Sequence, residues 1–324
     1  MRIAVAGSIA TDHLLTFDGR FSESVLPDQL TRISLSFLAS DLQIRRGGAG
    51  ANIAFGMAVL GQRPVLVGSV GSDVADYLYW LSSHGVDVSG VSISSTRATA
   101  RFTCTTDLDH CQIATFYPGA MSEAADIDIA SFTPLDLVVI APDDPGAMAR
   151  HTLTCREQGI PFAADPSQQL AYLDGPPIRQ LVEGADYLFT NDYEAGLTCE
   201  KTGWSVADIL GRVGTWITTY GADGIVVRRR GAADLRIPVA PAEQLAEPTG
   251  VGDGFRAGFL SATAWGLDVE RSCQVGALLA TYVVETVGTQ EYDYVPDRFL
   301  ERLAKAYGDD AAAEVGPHLA PRAA

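Results

Sequence analysis

Short apolar segments that alternate with helical stretches constrain the fold of this chain more than any other feature. Residues 2–7 form an apolar run that ends at a glycine, which is typical of a strand buried on both faces. A helix predicted over 50–61 precedes a strand at 64–68, and another helix is expected from 72 to 84. The alternation continues in four further apolar segments, at 135–140, 161–164, 187–190 and 216–219. The pattern predicts an α/β fold with a doubly wound, mostly parallel sheet and helices on both faces.

Two stretches interrupt this alternation. Residues 30–46 and 97–116 are rich in Thr, Ser and aromatic residues at near period-two spacing, and no helix separates Phe102 from Phe116. We predict that they form a small β-sheet lid over the ends of the parallel strands, where open α/β sheets bind ligands. The alternative is an extra sheet that only packs. The predicted boundaries are 11–46 and 97–118 for the lid, and 1–10, 47–96 and 119–324 for the core domain.

Charge and composition exclude several functional classes. The 40 acidic and 23 basic residues give a formal charge of -17, which would repel nucleic acid and anionic membranes, so we expect neither as a partner. No apolar run approaches the roughly 20 residues that span a bilayer. Residues 1–12 are predicted to form a strand and its exit loop, without the basic start or cleavage site of a secretion signal. We therefore expect a cytoplasmic protein.

Metal and lysine chemistry have little support in the sequence. The five cysteines and five histidines are scattered and match no metal-ligand spacing. The only lysines are Lys201 and Lys305, and neither follows a glycine loop. The lysine-containing phosphate loop of many nucleotide-binding proteins is therefore absent.

The most informative stretch is EPTGVGDGF at 247–255, which leads from a loop into an apolar helix. Gly250, Gly252 and Gly254 leave main-chain N–H groups uncovered at a helix N-terminus, where the helix dipole also favours an anion. This predicts a phosphate cradle that needs no lysine. The carboxylate of Asp253 suits a base that accepts the proton of a hydroxyl attacking a γ-phosphate. The alternative is an ordinary helix cap beside a glycine turn.

A second glycine-rich helix start is GGAGAN at 47–52. Its small residues let a polar ligand reach the main chain, and the side chain of Asn52 offers both a donor and an acceptor to a pair of sugar hydroxyls. A glycine-rich start used only for tight packing is equally consistent with this stretch.

These two stretches, about two hundred residues apart, resemble the two signatures of the ribokinase or PfkB family of sugar and nucleoside kinases. Between them, NDYE at 191–194 is similar to the NxxE element of that family. The resemblance covers nearly the whole chain and implies the ribokinase-like form of the predicted fold. Further stretches resemble the adenosine kinases of actinobacterial type: GSIATDH at 7–13, 100–106, 115–123, DPSQQ at 165–169 and GTQE at 288–291.

The resemblance implies a role for each residue that matches a family motif. Asp253 is implied to be the catalytic base, and the amides of Gly250, Val251 and Gly252 to form the anion hole. Asn191 and Glu194 are implied to organise Mg2+, largely through water, beside ATP. Thr219, Gly221 and Gly224 are implied to contact ATP. Asn191, Gly250 and Gly252 are implied to contact ATP in addition to the roles given above. The implied positions at the ribose hydroxyls are Asp12, Gly48 and Asn52.

Asp12 and Glu247 carry additional expectations. The carboxylate of Asp12 follows a predicted buried strand and is placed to accept two hydroxyl hydrogen bonds; the alternative is a loop-turn aspartate. The family signature usually opens with Asp where this chain has Glu247. Because a monovalent cation is implied in that loop, K+ is a candidate cofactor beside ATP and Mg2+.

Aromatic and amide side chains are the candidates for holding a nucleobase. The rings of Phe102 and Phe116 can sandwich a purine, and they share a face of one hairpin only if its loop has an odd number of residues. Gln168 and Gln169 are candidates for reading an adenine edge, and Ser8 for a further polar contact. The alternatives are two core phenylalanines, helix-start amides and a strand-end hydroxyl.

Taken together, the resemblance and these residues predict ATP-dependent phosphorylation of the 5'-hydroxyl of adenosine, giving AMP and ADP in purine salvage. One alternative is a kinase of a free sugar such as ribose or fructose. Another is a catalytically silent nucleoside-binding regulatory protein. Because an exposed small sheet invites pairing, we also expect a homodimer through the lid strands.

Overall fold

The computed structural model describes residues 1–24 and 35–319, and these residues form 13 strands and 12 α-helices. The strands are β1 Ile3–Ala6, β2 Ala10–Phe17, β3 Ala39–Gly47, β4 Val65–Gly71, β5 Asp87–Ser94, β6 Ala100–Thr106, β7 Gln112–Tyr117, β8 Leu137–Ile140, β9 Phe162–Ala164, β10 Tyr187–Asn191, β11 Thr215–Thr219, β12 Ile225–Arg228 and β13 Leu235–Ile237. The helices are α1 Phe21–Ser24, α2 Ala49–Val59, α3 Ala75–Ser83, α4 Pro145–Gln158, α5 Gln169–Tyr172, α6 Gly175–Val182, α7 Asp192–Thr202, α8 Val206–Leu210, α9 Val251–Ala264, α10 Val269–Val284, α11 Pro296–Tyr307 and α12 Asp309–Val315. None of the helices in the described ranges is both long and apolar enough to cross a membrane.

The larger sheet has nine strands in the order β13-β12-β11-β10-β9-β8-β1-β4-β5. Every pairing from β11 to β5 is parallel, and β12 and β13 extend the sheet as an antiparallel edge. The chain runs outward from β1 to β4 and β5 on one side, and through β8 to β11 on the other. The order therefore reverses at β1, and the carboxyl ends of β1 and β8 border the crevice where such sheets bind ligands. The predicted doubly wound sheet is confirmed.

Helices cover both faces of this sheet, which explains why its strands are apolar throughout. In β1, Ile3 and Val5 point into one core, whereas Ala4 and Ala6 point into the other. The first core includes Phe55 of α2, Phe259 of α9, Leu278 of α10 and Phe299 of α11. The second includes Met148 of α4, Leu181 of α6 and Ile209 of α8. The two layers of helices hold the carboxyl ends of the parallel strands in fixed positions, which is what a site at that edge requires.

A separate four-stranded sheet has the order β3-β2-β6-β7. The prediction of an exit loop up to residue 12 was wrong, because β2 is a strand at the centre of this sheet and runs on to Phe17. Its sequence contains polar residues like those of a loop because β2 is only partly buried along most of its length. Part of the predicted 30–46 strand lies outside the described residues, and the described strand begins at Ala39. The division into domains at the stated boundaries stays a prediction.

The hairpin β6–β7 brings the two candidate phenylalanines together. Phe102 and Phe116 are direct cross-strand partners in the antiparallel register. Five residues, 107–111, connect the paired ends Thr106 and Gln112, so the loop has the odd count that the shared face requires.

Candidate active site

A cleft of about 370 Å³ lies between the small sheet and the carboxyl ends of the parallel strands. Besides the small sheet, six segments that are far apart in the sequence border it: the end of β1, the start of α2, the loops after β8 and β9, the N-terminus of α9 and the loop at 288–289. Ten of the residues predicted for the site line it: Ser8, Asp12, Gly48, Asn52, Phe102, Phe116, Gln168, Gln169, Gly250 and Asp253. The fold thus brings the candidate base, the candidate ribose positions and the aromatic pair to one cavity.

The carboxylate of Asp253 lies in the first turn of α9. Its Oδ2 accepts a hydrogen bond of 2.8 Å from Asn52 Nδ2. Removal from water raises the pKa of the Asp253 carboxyl, and the repulsion of Glu194 adds to this, whereas the Asn52 hydrogen bond and the nearby Arg256 lower it. A carboxyl group with a raised pKa is a better proton acceptor than an ordinary surface aspartate.

The main chain at this helix start has the form of an anion cradle. Gly250 precedes α9 in the left-handed region at φ 77°, a conformation that favours glycine. The amides of Gly252 and Asp253 have no acceptor within the part of the chain that the structure describes, and the Val251 amide makes only a long contact of 3.4 Å with Pro248 O. Gly250 lines the cleft directly, whereas Val251 and Gly252 do not. The first turn of α9 therefore has N–H groups free to receive an anion.

Arg256 is a buried charge that the sequence analysis did not single out. Its Nη2 donates to Asp165 Oδ1 at 2.6 Å, and its Nε lies 2.5 Å from Asp165 Oδ2. A Cβ added at Gly252 would come within 2.7 Å of Arg256 Nη1, so the guanidinium folds back against the first turn of its own helix. Burial raises the pKa of Asp165 to about 7, against the opposing effect of Arg256. The guanidinium of Arg256 places positive charge beneath the anion cradle. Its pairing with Asp165 connects the start of α9 to the loop after β9.

The expectation for Asn52 needs correction in one respect. Its side chain is 7% exposed, and Oδ1 already accepts from Gln290 Nε2 at 2.9 Å. Thr289 Oγ1 lies at the same distance from Oδ1, but its one hydrogen is shared between this oxygen and Arg46 O. Because one hydrogen of Nδ2 is donated to Asp253, a single amide hydrogen is left for a substrate. The amide does not offer a free donor and a free acceptor, as its sequence context suggested.

The other candidate ribose positions are close together beside Asn52. At Gly48, φ is 94°, and an added Cβ would lie 2.5 Å from Ser8 O, so only glycine fits there without strain. Ser8 Oγ accepts from the Ala49 amide at 3.0 Å and is thereby engaged at the start of α2. Burial and the neighbouring Glu247 raise the pKa of Asp12 to about 6, and Arg45 opposes this. Hydrogen-bond donors such as sugar hydroxyls suit that carboxylate.

The base-side candidates line the same cleft. Phe116 is 49% exposed, whereas Gln169 is engaged, since its Nε2 donates to Asp143 O at 2.8 Å. Gln168 is exposed and lines the cleft. Asp143 also lines the cleft with 3% exposure, and burial raises the pKa of its carboxyl to about 8. That residue was not predicted, because its sequence context is an ordinary strand end.

Apart from Gly250, which lines the cleft, the predicted ATP-side residues lie outside the cleft lining. Asn191 and Thr219 are register partners at the ends of β10 and β11. Gly221, at φ 56°, has open space where a Cβ would stand, and Gly224, at φ 95°, abuts Ile237 O. The candidates for binding the nucleoside thus lie around the carboxyl ends of β1 and β8. Most of the candidates for binding ATP lie at the carboxyl ends of β10 and β11.

Comparison with known proteins decides the family. The model of the pfkB family carbohydrate kinases matches residues 23–297, which is most of the chain. This chain belongs to the PfkB family. It is a kinase, and the members of this family transfer a phosphoryl group from ATP to a hydroxyl group. Its nine-stranded sheet with a separate four-stranded sheet is the ribokinase-like fold.

Two individual relatives, one of them in two solved structures, refine the comparison. The nucleoside kinase of Methanocaldococcus jannaschii is 31% identical over 264 residues, which cover 80% of this chain and 85% of the relative. The solved structure of Burkholderia thailandensis nucleoside kinase with inosine has a TM-score of 0.83 at 34% identity, covering 94% of this chain and 98% of the other. The ADP-inosine complex of the same enzyme has a TM-score of 0.81 at 36% identity, covering 94% and 96%.

The PfkB kinase fits a hydrated Mg2+ better than a directly ligated one. Asn191 Oδ1 accepts from the Glu194 amide at 2.8 Å, and Glu194 Oε2 accepts from the Asn191 amide at 2.7 Å, so both groups cap α7. Glu194 Oε1 accepts only a long hydrogen bond of 3.4 Å from Ser167 Oγ. This oxygen would be the one to contact a water molecule bound to Mg2+. In the described ranges, no three His, Cys, Asp or Glu side chains cluster as a metal site. Mg2+ usually keeps several waters, which suits this donor set.

Glu247, which stands where the family signature usually has Asp, is engaged by neighbouring protein groups, and K+ as a cofactor stays a prediction. Its Oε2 accepts from Arg45 Nη1 at 2.8 Å and from the Gly288 amide at 3.0 Å. The guanidinium of Arg45 therefore already neutralises this carboxylate, and the side chain serves to join the small sheet to the loop at 288.

Proposed function

We propose that this kinase phosphorylates the 5'-hydroxyl of a purine nucleoside, with adenosine as the preferred substrate and ATP as the donor. The observation that carries the proposal is that one cleft holds both a carboxylate at a helix start, Asp253, and a pair of cross-strand phenylalanines. Phosphorylation of a free sugar requires the carboxylate, but a free sugar has no aromatic base to stack on the phenylalanine rings. The similarity to nucleoside kinases supports the same choice.

The geometry supports in-line transfer. The carboxylate of Asp253 accepts the proton of the 5'-hydroxyl as its oxygen attacks the γ-phosphorus, a new O–P bond forms, and the bond to the bridging oxygen breaks, so that ADP leaves. The free amides at the start of α9 stabilise charge on the transferred group, and Arg256 supports them from below. Mg2+, held through water by Glu194, would neutralise phosphate charge when bound. Because the transition state is loose, alignment of the hydroxyl contributes more than the basicity of Asp253.

Substrate choice is tested by a panel in a coupled ADP assay with ATP and Mg2+. We expect adenosine to give the highest kcat/KM, other purine nucleosides lower values, and ribose and fructose the lowest. 5'-Deoxyadenosine, which lacks the acceptor hydroxyl, should inhibit competitively without ADP release. Equal use of ribose and adenosine would contradict the proposal, and ligand binding without any turnover would favour a silent binding protein.

Replacing Phe102 with Ala should raise KM for adenosine much more than it lowers kcat. Stacking on an aromatic ring contributes about 1–3 kcal/mol per base, so KM should rise by roughly 5- to 150-fold. Tyr79, an aromatic residue of α3 that is 75% exposed, provides the control substitution Tyr79→Ala. If KM for adenosine rises no more in Phe102→Ala than in this control, the ring does not stack on the base.

The outer face of the small sheet is the surface we propose for a homodimer. Leu42 and Ile44 of β3 are 51% and 61% exposed, and Ile113 of β7 is 46% exposed. The strand registers place these three on the face opposite Asp12 and Phe102, which line the cleft. We expect a dimer in light scattering that Ile44→Glu converts to a monomer. A monomeric parent protein would contradict this. The cytoplasmic location stays a prediction.

A further inference from the structure

A chain of buried polar side chains leads from the small sheet to Asp253. The hydroxyl of Tyr77 donates to Gly47 O at 2.9 Å and accepts from Gln290 Nε2 at 2.6 Å. The same Nε2 donates to Asn52 Oδ1 at 2.9 Å, and Asn52 Nδ2 donates to Asp253 Oδ2 at 2.8 Å. We call Tyr77, Gln290 and Asn52 the relay. Their exposures are 5%, 1% and 7%, so water has little access to these bonds.

The direction of the bonds follows from the carbonyl of Gly47, which can only accept. Tyr77 has one hydroxyl hydrogen, and since it is given to Gly47, the tyrosine oxygen must accept from Gln290. The amide nitrogen of Gln290 therefore faces the relay, and its second hydrogen is donated to Asn52 Oδ1. Thr289 Oγ1 also lies 2.9 Å from Asn52 Oδ1, but its one hydrogen is shared with Arg46 O, so Gln290 is the partner that can only donate to this oxygen. With its oxygen so engaged, the Asn52 amide turns its nitrogen toward Asp253.

The opposite orientation of the Gln290 and Asn52 amide groups would require Asp253 to be protonated. If Gln290 turned its oxygen toward the relay, Tyr77 would have to withdraw its hydrogen from Gly47, and Asn52 would donate to Gln290. Asn52 would then present Oδ1 to Asp253, and two facing acceptors are compatible only if Asp253 is protonated. A protonated carboxyl group cannot accept the proton of the substrate.

Other charges around Asp253 do not determine this choice on their own. Arg256, on the same helix, favours the ionised carboxylate, whereas Glu194 of α7 and Asp165 of the loop after β9 oppose it. Removal from water has the largest effect and also opposes ionisation. The hydrogen bond from Asn52 is the one direct donor to this carboxylate among the described residues. Its orientation therefore has a large effect on whether Asp253 is ionised.

We propose that Tyr77 and Gln290 are positioning residues, which hold the amide of Asn52 with its N–H toward Asp253 and so keep the carboxylate ionised and ready to accept a proton. The inference rests on the proposed role of Asp253 as the base. It adds to that role two residues that do not line the cleft.

The test uses Tyr77→Phe, which deletes only the hydroxyl, and Gln290→Met, which keeps the volume but removes the donors. With 13C-labelled aspartate, the carboxyl titration of Asp253 is followed by NMR and assigned by its loss in Asp253→Asn. Each variant should raise the titration midpoint by on the order of one pH unit, because a hydrogen bond to the charged form is lost. The acid limb of kcat/KM should move by the same amount, while the plateau at high pH is kept.

Tyr307→Phe is the matched control. Its hydroxyl also donates to a carbonyl, Pro238 O at 2.9 Å, but makes no hydrogen bond to a relay residue within the described ranges, so the Asp253 midpoint of this variant should match that of the parent. If one relay variant fails to fold, the other decides. An unchanged Asp253 midpoint in the folded variants would overturn the inference and leave the proposed function intact. A shifted midpoint with an unshifted acid limb would support the relay and overturn Asp253 as the base.

Discussion

Asp253→Asn is expected to lower kcat by about 10²- to 10⁴-fold, the usual contribution of a positioned general base. The substitution keeps the shape of the side chain and an oxygen to accept from Asn52 Nδ2, so the cleft should retain its form. What is lost is the group that takes the proton of the attacking hydroxyl. The coupled ADP assay at saturating adenosine measures this effect, and calorimetric titration should show that adenosine still binds.

A carboxylate at another helix start separates this effect from a general loss of charge. Asp76 lies in the first turn of α3, is exposed and does not line the cleft. Asp76→Asn should leave kcat at the parent value. Near-normal kcat in Asp253→Asn would reject its assignment as the base.

Arg256→Met is expected to lower the free energy of unfolding by about 3–5 kcal/mol at pH 8.5, because it leaves the carboxylate of Asp165 buried without its partner. Asp165 is 1% exposed and both of its oxygens face the guanidinium. Urea unfolding monitored by circular dichroism measures the loss. The variant should also lose activity, since the positive charge under the anion cradle disappears.

The pH dependence of this loss has a definite sign. The pKa of Asp165 is already raised to about 7, so the parent loses stability as pH rises through that value. Arg256 lowers the pKa of Asp165 in the parent. Without Arg256 this pKa rises further, and the carboxyl group of Asp165 stays neutral to higher pH. The deficit relative to the parent should therefore be smaller at pH 6 than at pH 8.5. The double variant Asp165→Leu/Arg256→Met should recover much of the stability at both values, and a deficit that is the same at both would contradict the account.

The parts of the fold that follow from local pattern could be predicted from the sequence. The buried parallel strands are short apolar runs because helices cover both faces, and this pattern identified β1, β4 and β8 to β11. The central strand β2 did not conform, because it carries polar residues such as Asp12 toward the cleft. Only its pairing with β3 and β6 shows that it is a strand.

The site divides in the same way. Asp253 and the glycines around it could be found because a helix start is a local feature with its own sequence signature. The roles of Tyr77 and Gln290 depend on a contact between segments 213 residues apart, for which no local pattern exists. Arg256 did leave a signal, as the one basic residue within the apolar stretch of α9. A charge at such a position indicates a buried partner, here Asp165, which lies 91 residues earlier.

The central claim is that a phosphoryl group passes from ATP to the 5'-oxygen of a purine nucleoside bound in this cleft. Phosphorus NMR of the products formed from adenosine, ATP and Mg2+ tests it most directly. The account predicts ADP together with one new phosphate resonance coupled to the 5' protons of the ribose. Inorganic phosphate alone, or a phosphate attached at another ribose oxygen, would contradict it.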